Sequence, residues 1–258
     1  MRKNQVLHFA YVLIGTYLFA AALLFVFQRA FIYSPTSEYE HDFEQIALQN
    51  EDENIKIIVL NRGNENAFVY FGGNAEAVIE NAPEFSTIFP NKTVYLVNYR
   101  GYGGSSGEPT EAGLFSDAIA IFDNLSPAHK NLAVVGRSLG SGVAVHLAAN
   151  RPVSQVVLIT PYDSVLALAQ KQYPMFPISL LLKDKYDSML LASEVTAPVL
   201  VLAGGKDTLI PLIHSQNLVD EIGKDNAKII VIEKAGHNDI TRFTDFYESL
   251  TSFFEDRE

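Results

Sequence analysis

The chain has no cysteine among its 258 residues. That excludes disulfides, thiolate metal sites and a cysteine nucleophile together, and it leaves the compartment open, because such a chain can fold in oxidising or reducing surroundings. Basic residues are also scarce: 19 Lys and Arg against 30 Asp and Glu give a formal charge of −11. A surface without clustered cations lacks what holds nucleic-acid phosphates, so no nucleic-acid partner is expected. Long Pro/Ser-rich linkers and internal repeats are missing as well. With 48% apolar residues, the chain can bury a substantial core, and one large domain is preferred to two small ones.

One stretch lacks charge altogether. Residues Phe9 to Phe27 form 19 consecutive positions without a charge or a proline, and at about 1.5 Å per residue they reach about 28 Å, close to the thickness of a bilayer's hydrocarbon. A membrane anchor over residues 1–30 is therefore expected, contacting lipid through residues 9–27. Arg2, Lys3 and the α-amino group precede the run and Arg29 follows it; this balance places the N-terminus in the cytoplasm and the rest of a single-pass protein on the non-cytoplasmic side. Two other readings compete. Ala20-Ala21-Ala22 resembles a signal-peptidase site, and a long apolar run can be a buried core helix.

Beyond the anchor, residues 31–258 alternate between strand-like and helix-like segments. Phe43 to Gln49 and Asn54 to Leu60 read as an antiparallel hairpin. Then come a strand at Ala67 to Phe71, a helix at Ala75 to Phe85, a strand at Thr93 to Asn98 and a helix at Thr110 to Leu125. Strands are expected again at Leu132 to Val135, Gln155 to Thr160, Pro198 to Ala203 and Lys228 to Glu233, with helices after Ser138, at Leu212 to Ile222 and at Arg242 to Phe254. This rhythm implies an α/β fold with a mostly parallel sheet covered by helices on both faces and ligands beyond the strands' C-terminal ends. Residues 161–188 interrupt it with an apolar insert, expected to form a short cap whose Tyr162, Tyr173 and Phe176 contact substrate; the alternative is helices packed on the core with no such role.

The sharpest local signal is Gly136-Arg137-Ser138-Leu139-Gly140 between the strand Leu132 to Val135 and a helix-like run. A serine at such a turn needs small residues two positions to either side, and in return its Oγ stands clear of the sheet while the next amide faces an oxyanion. Three fixed positions can match by accident, so the strand-turn-helix context carries the reading. Ser138 is expected to be a nucleophile. A serine hydroxyl needs an imidazole to take its proton, and the imidazole needs a carboxylate to fix its tautomer. His237 follows the last expected strand, and Asp207 follows the strand Pro198 to Ala203. Asp163 follows another strand and is the alternative acid. His8, His41, His129, His146 and His214 lie away from suitable strand ends. Asp239, two residues past His237, reads as a helix cap.

The oxyanion would be held by the backbone amides of Leu139 and Asn74, the latter after Gly72-Gly73 at the end of the first parallel strand. The glycines of Asn98 to Gly107 do not meet a dinucleotide-binding spacing, and a tight turn ordered by Arg100 is expected there. No metal or organic cofactor is needed.

Taken together, Phe71-Gly72-Gly73-Asn74-Ala75-Glu76, Asn98-Tyr99-Arg100-Gly101-Tyr102-Gly103-Gly104-Ser105, Gly136-Arg137-Ser138-Leu139-Gly140-Ser141-Gly142, Pro161-Tyr162-Asp163-Ser164, Gly205-Lys206-Asp207 and Gly236-His237-Asn238 resemble the α/β-hydrolase superfamily. Within it they resemble the single-pass, membrane-tethered serine hydrolases. The resemblance runs from about Asp42 to the C-terminus and implies an α/β-hydrolase fold and cleavage of an ester, thioester or amide in a small-molecule or lipid-like acyl substrate. Relatives usually carry His-Gly-Asn where this chain has Gly72-Gly73-Asn74. A non-catalytic membrane-bound interaction protein and a serine peptidase are the rival readings; neither oligomeric state nor acyl-chain length follows from the sequence.

Overall fold

The charge-free run lies inside one helix, α1 (Lys3–Ile32), in a computed structural model that describes residues 3–255. Arg2, counted above in the charge balance, lies outside the described residues. The helix is long and apolar enough to cross a membrane, and its most apolar window is not buried against the rest of the chain. Phe19 and Val26 are 65% and 68% exposed, which removes the core-helix reading: a core helix covers its apolar faces.

Strands β1 (Glu44–Asn50) and β2 (Glu53–Leu60) pair as the expected antiparallel hairpin. The chain continues through β3 (Asn66–Phe71), α2 (Ala82–Ile88), β4 (Thr93–Val97), α3 (Glu111–Leu125), β5 (Asn131–Arg137), α4 (Leu139–Asn150) and β6 (Val156–Ile159). After β6 come the insert helices α5 (Val165–Gln172), α6 (Ile178–Leu181) and α7 (Met189–Ala192). The order closes with β7 (Val199–Gly204), α8 (Leu212–Ile222), β8 (Ala227–Ile232) and α9 (Thr244–Glu255).

Among the described residues these strands form one sheet in the order β1-β2-β4-β3-β5-β6-β7-β8. It is antiparallel at β1, β2 and β4 and parallel from β4 onward. Side-chain alternation splits its core into two layers. Val69, Phe71 and Val134 pack with Ala118 and Ile121 of α3, Val143 of α4 and Leu218 of α8. Phe68, Tyr70 and Val135 pack with Phe85 of α2 and with Phe246, Leu250 and Phe254 of α9. Burying both faces of a parallel sheet in this way is what its continuous apolar strands require.

One expected element differs. In place of a helix over Ala75 to Phe85, a 3-10 turn at Val78–Asn81 leads into α2, which carries a proline in its first turn. Pro83 cannot donate to a preceding carbonyl, so it belongs at a helix start, and α2 begins there.

Candidate active site

Ser138 sits between the end of β5 and the start of α4 with φ 49° and ψ −113°. A non-glycine residue there is strained, and the neighbours account for it. A Cβ on Gly136 would run into the Gly140 carbonyl oxygen, and one on Gly140 into the Phe71 carbonyl oxygen at the end of β3. The chain can turn this sharply only because both positions lack a side chain. The turn is pinned by Ser138 N–H donating to Ile159 O at 2.9 Å and by the Ser141 hydroxyl donating to Ser138 O at 2.6 Å.

His237 and Asp207 meet this serine from the loops after β8 and β7. His237 Nε2 is 2.9 Å from Ser138 Oγ, and His237 Nδ1 is 2.7 Å from Asp207 Oδ2. With Nδ1–H donated to the carboxylate, the lone pair on Nε2 faces the serine hydroxyl. The other oxygen of Asp207 accepts from the amides of Leu209 and Ile210 at 2.9 and 2.8 Å, so its orientation is set by backbone. Asp163 does not reach this cluster: it lies 2.8 Å from His214 Nδ1.

The amides expected to face an oxyanion are those of Leu139 and Asn74. Leu139 is the first residue of α4, so its N–H has no intrahelical acceptor. Asn74 N–H donates to no protein acceptor among the described residues. The Asn74 loop is held from below by Glu76, whose carboxylate accepts from Gly73 N–H at 2.7 Å, the Tyr70 hydroxyl at 2.7 Å and Asn81 Nδ2 at 2.6 Å. Arg137 lies 3.6 Å from the same carboxylate. Burial, reinforced by Glu76, raises the Tyr70 pKa well above its ordinary value, so this phenol stays a donor. Burial pulls the Arg137 guanidinium down, but Tyr70 and Glu76 together outweigh it and leave its pKa raised. From above, Asn74 O accepts from the Tyr102 hydroxyl at 2.8 Å and from Ser34 N–H at 3.1 Å, and Asn74 Nδ2 donates to Ile32 O at 3.2 Å. The Gly72-Gly73-Asn74 loop is thus held by a carboxylate network and a clamp from the end of α1.

Ser138 opens into a groove of about 560 Å³ lined by Asn74, Glu80, Arg137, Leu209, His237 and Tyr247 among others. Tyr162, Tyr173 and Phe176, expected to contact substrate, are not part of this lining. Tyr162 is 2% exposed and donates to Leu139 O at 3.0 Å, supporting the elbow from inside. Tyr173 lines a separate apolar cleft between α1 and the insert, and Phe176 stacks on Tyr17 of α1 at 5.0 Å. The insert turns toward α1, because its apolar residues find an apolar helix there.

One smaller expectation also changes. Asp239 makes no side-chain cap; its Oδ1 accepts from Gly236 N–H at 2.7 Å and shapes the His237 loop. Arg100 holds its turn to α3 through paired bonds of 2.8 and 2.7 Å to Asp117. The contribution of Glu76 escaped sequence reasoning, and its one signal was a carboxylate three residues past Gly73. Among the described residues no group of three or more His, Asp or Glu is gathered to hold a metal ion.

A parallel sheet flanked by helices, with serine, acid and histidine following β5, β7 and β8 in that order, defines an α/β-hydrolase fold. The family described as alpha/beta hydrolase fold matches residues 71–188. An uncharacterized protein of Mycobacterium tuberculosis is 41% identical over 153 residues, which are 57% of this chain and 53% of that protein. Human alpha/beta hydrolase domain-containing protein 17B is 29% identical over 171 residues, 63% of this chain and 56% of the relative. The chain spans about half the length of the curated relatives it matches. Among solved structures, the Pyrococcus furiosus esterase Pf2001 superposes with a TM-score of 0.69 at 17% identity, covering 88% of this chain and 97% of the esterase. At that identity the likeness concerns the fold alone.

Proposed function

We propose that the chain is a membrane-anchored serine hydrolase that cleaves a carboxylic ester or thioester through an acyl-enzyme on Ser138. The observation that carries this reading is the unbroken relay from Asp207 through His237 to a serine in a strained backbone, with bonds of 2.7 and 2.9 Å. His237 takes the Ser138 proton as Oγ attacks the acyl carbonyl, and Asp207 stabilises the imidazolium that forms. The amides of Leu139 and Asn74 hold the oxyanion. Collapse of the tetrahedral intermediate expels the alcohol or thiol, which leaves with the proton from His237. Water, deprotonated by the same histidine, then attacks the acyl-enzyme and releases the acid. In this reading α1 is the anchor, residues 31–258 form the hydrolase domain with the insert 161–188 as its cap, and the domain lies on the non-cytoplasmic side.

The test is labelling of the full-length, detergent-solubilised protein with a fluorophosphonate probe. Wild type is expected to label, and Ser138→Ala and His237→Ala are expected not to. A folded wild-type protein that fails to label overturns the hydrolase reading.

A further inference from the structure

The insert does more than pack on α1; it runs alongside it. Its apolar segment 173–182 contains no Asp, Glu, Lys or Arg, and Lys171 and Lys183 bracket it. One end of the segment meets the last turns of α1. Gln28 Nε2 donates to Leu181 O at 3.1 Å, Gln28 Oε1 accepts from Lys183 N–H at 2.6 Å, and Lys183 Nζ lies over the Phe25 ring at 4.6 Å. The far end meets the middle of α1, where the Tyr17 hydroxyl donates to Met175 O at 2.9 Å and Tyr17 stacks on Phe176. The eleven residue steps from Tyr17 to Gln28 rise about 16 Å. That is about half of a 30 Å hydrocarbon core, the depth of one leaflet.

We infer that segment 173–182 is a second membrane element, sunk into one leaflet beside α1 with Lys171 and Lys183 at the headgroup level. The inference rests on the anchoring of α1 proposed above, and not on the hydrolase chemistry. If α1 crosses a bilayer through residues 9–27, whatever touches Tyr17 lies near the midplane, so Met175 and Phe176 cannot remain in water. The segment is built for that solvent. Met175 and Leu180 are 78% and 81% exposed on its surface. Lipid also demands that backbone donors be satisfied within the protein. The N–H groups of Phe176, Ile178, Leu180, Leu181 and Leu182 bond to carbonyls within the segment, while Pro174 and Pro177 have no N–H to satisfy. Long lysines flanking an apolar tip extend their ammonium groups to the interface and attract anionic headgroups. The occupant of this surface is therefore the acyl region of a bilayer.

The chain contains no tryptophan, so one introduced tryptophan reports a single position. Full-length Leu180→Trp, Met175→Trp, Phe19→Trp and Lys228→Trp variants would be reconstituted into phosphatidylcholine vesicles carrying dibrominated acyl chains. Phe19→Trp reports α1, and Lys228→Trp reports an exposed position at the start of β8, at the opposite end of the sheet from Ser138. Leu180 and Met175 are exposed, so neither substitution disturbs the core, and circular dichroism melts would check this. The expected result is blue-shifted, strongly quenched emission from positions 19, 175 and 180 and none of either from 228. Bromines deep in the chain should quench position 175 more than position 180. Quenching at 19 without quenching at 175 and 180 overturns the inference while leaving the anchor intact. Blue-shifted emission at 175 and 180 that bromines leave unquenched also overturns it, since the surface is then covered by protein such as a second copy of the chain. Absence of quenching at all of these positions overturns both readings, and fluorophosphonate labelling is unaffected in every case.

Discussion

Two Asp–His pairs stand at adjacent strand ends. Asp207 and His237 follow β7 and β8; Asp163 follows β6 and pairs with His214 on α8. Their geometry is nearly identical, with Oδ to Nδ1 distances of 2.7 and 2.8 Å and both carboxylates accepting backbone amides. The side chains are similarly covered: 9% and 2% exposed for His237 and Asp207, 9% and 10% for His214 and Asp163. The third partner separates them. His237 Nε2 faces Ser138 Oγ, whereas among the described residues His214 Nε2 is bonded to no hydroxyl. Asp163 spends its remaining capacity on Ser164 N–H and Asn217 Nδ2, which fastens α8 and the start of the insert to the sheet. An oriented imidazole becomes a general base only when a strained nucleophile is delivered to it; without one, the same pair is a fastener.

The largest effect should come from exchanging one oxygen for nitrogen in each pair. Asp207→Asn presents an amide that favours the wrong His237 tautomer, and kcat on a p-nitrophenyl ester should fall on the order of 10⁴-fold. Asp163→Asn should leave kcat within a few-fold of wild type. Comparable losses in both variants would break the distinction between the pairs. Stability should show the opposite ranking for the fastener. Asp163→Ala leaves the buried donors of His214 and Ser164 without an acceptor, at a cost of about 1–3 kcal/mol. Urea unfolding would measure it, and an unchanged midpoint would mean that the pair fastens nothing.

One pair was legible in the sequence and the other was not, and the reason is where each histidine sits. Ser138, Asp207 and His237 all lie in loops directly after strands, and strand ends can be located from apolar runs and glycines. His214 lies inside a helix and meets Asp163 only because α8 packs beneath the loop after β6, a tertiary fact that no local pattern encodes. The insert failed for a similar reason. Its apolar content was evident, but the direction it faces depends on a competition between the Ser138 groove and α1, and burial against α1 wins. The sheet read well because β-strands buried on both faces are continuous apolar runs, and only the Pro83 helix start was misjudged.

A smaller effect tests the clamp on the Ser138 side of the comparison. The Tyr102 hydroxyl donates to Asn74 O and accepts from Ser34 N–H at 3.0 Å. Burial, partly offset by the Ser34 amide, pushes its pKa up to about 12, so it remains a donor across the working range. Tyr102→Phe removes one of two donors to Asn74 O, a loss of about 0.5–1.5 kcal/mol, or up to about tenfold in rate if it is expressed in the transition state. The expected signature is a lower kcat with KM unchanged, because the bound substrate is not touched. A loss of thermal stability with kcat intact would assign Tyr102 to the scaffold alone.

The smallest effect concerns a half-buried histidine with no carboxylate partner among the described residues. His146 of α4 stacks on Phe115 of α3 with ring centroids 3.9 Å apart, and burial lowers its pKa from the ordinary value near 6.5. The folded state therefore disfavours the imidazolium, and the unfolded chain binds the proton more readily. The neutral ring's contribution to stability is complete above the unfolded pKa and is lost as pH falls through the lowered folded one. His146→Gln should flatten this acid-side decline, read as the difference between urea midpoints at neutral and mildly acidic pH. An equal decline in wild type and variant would place the acid sensitivity elsewhere. A reduced one would show that an imidazole held by apolar stacking behaves as a neutral ring that the folded state resists protonating.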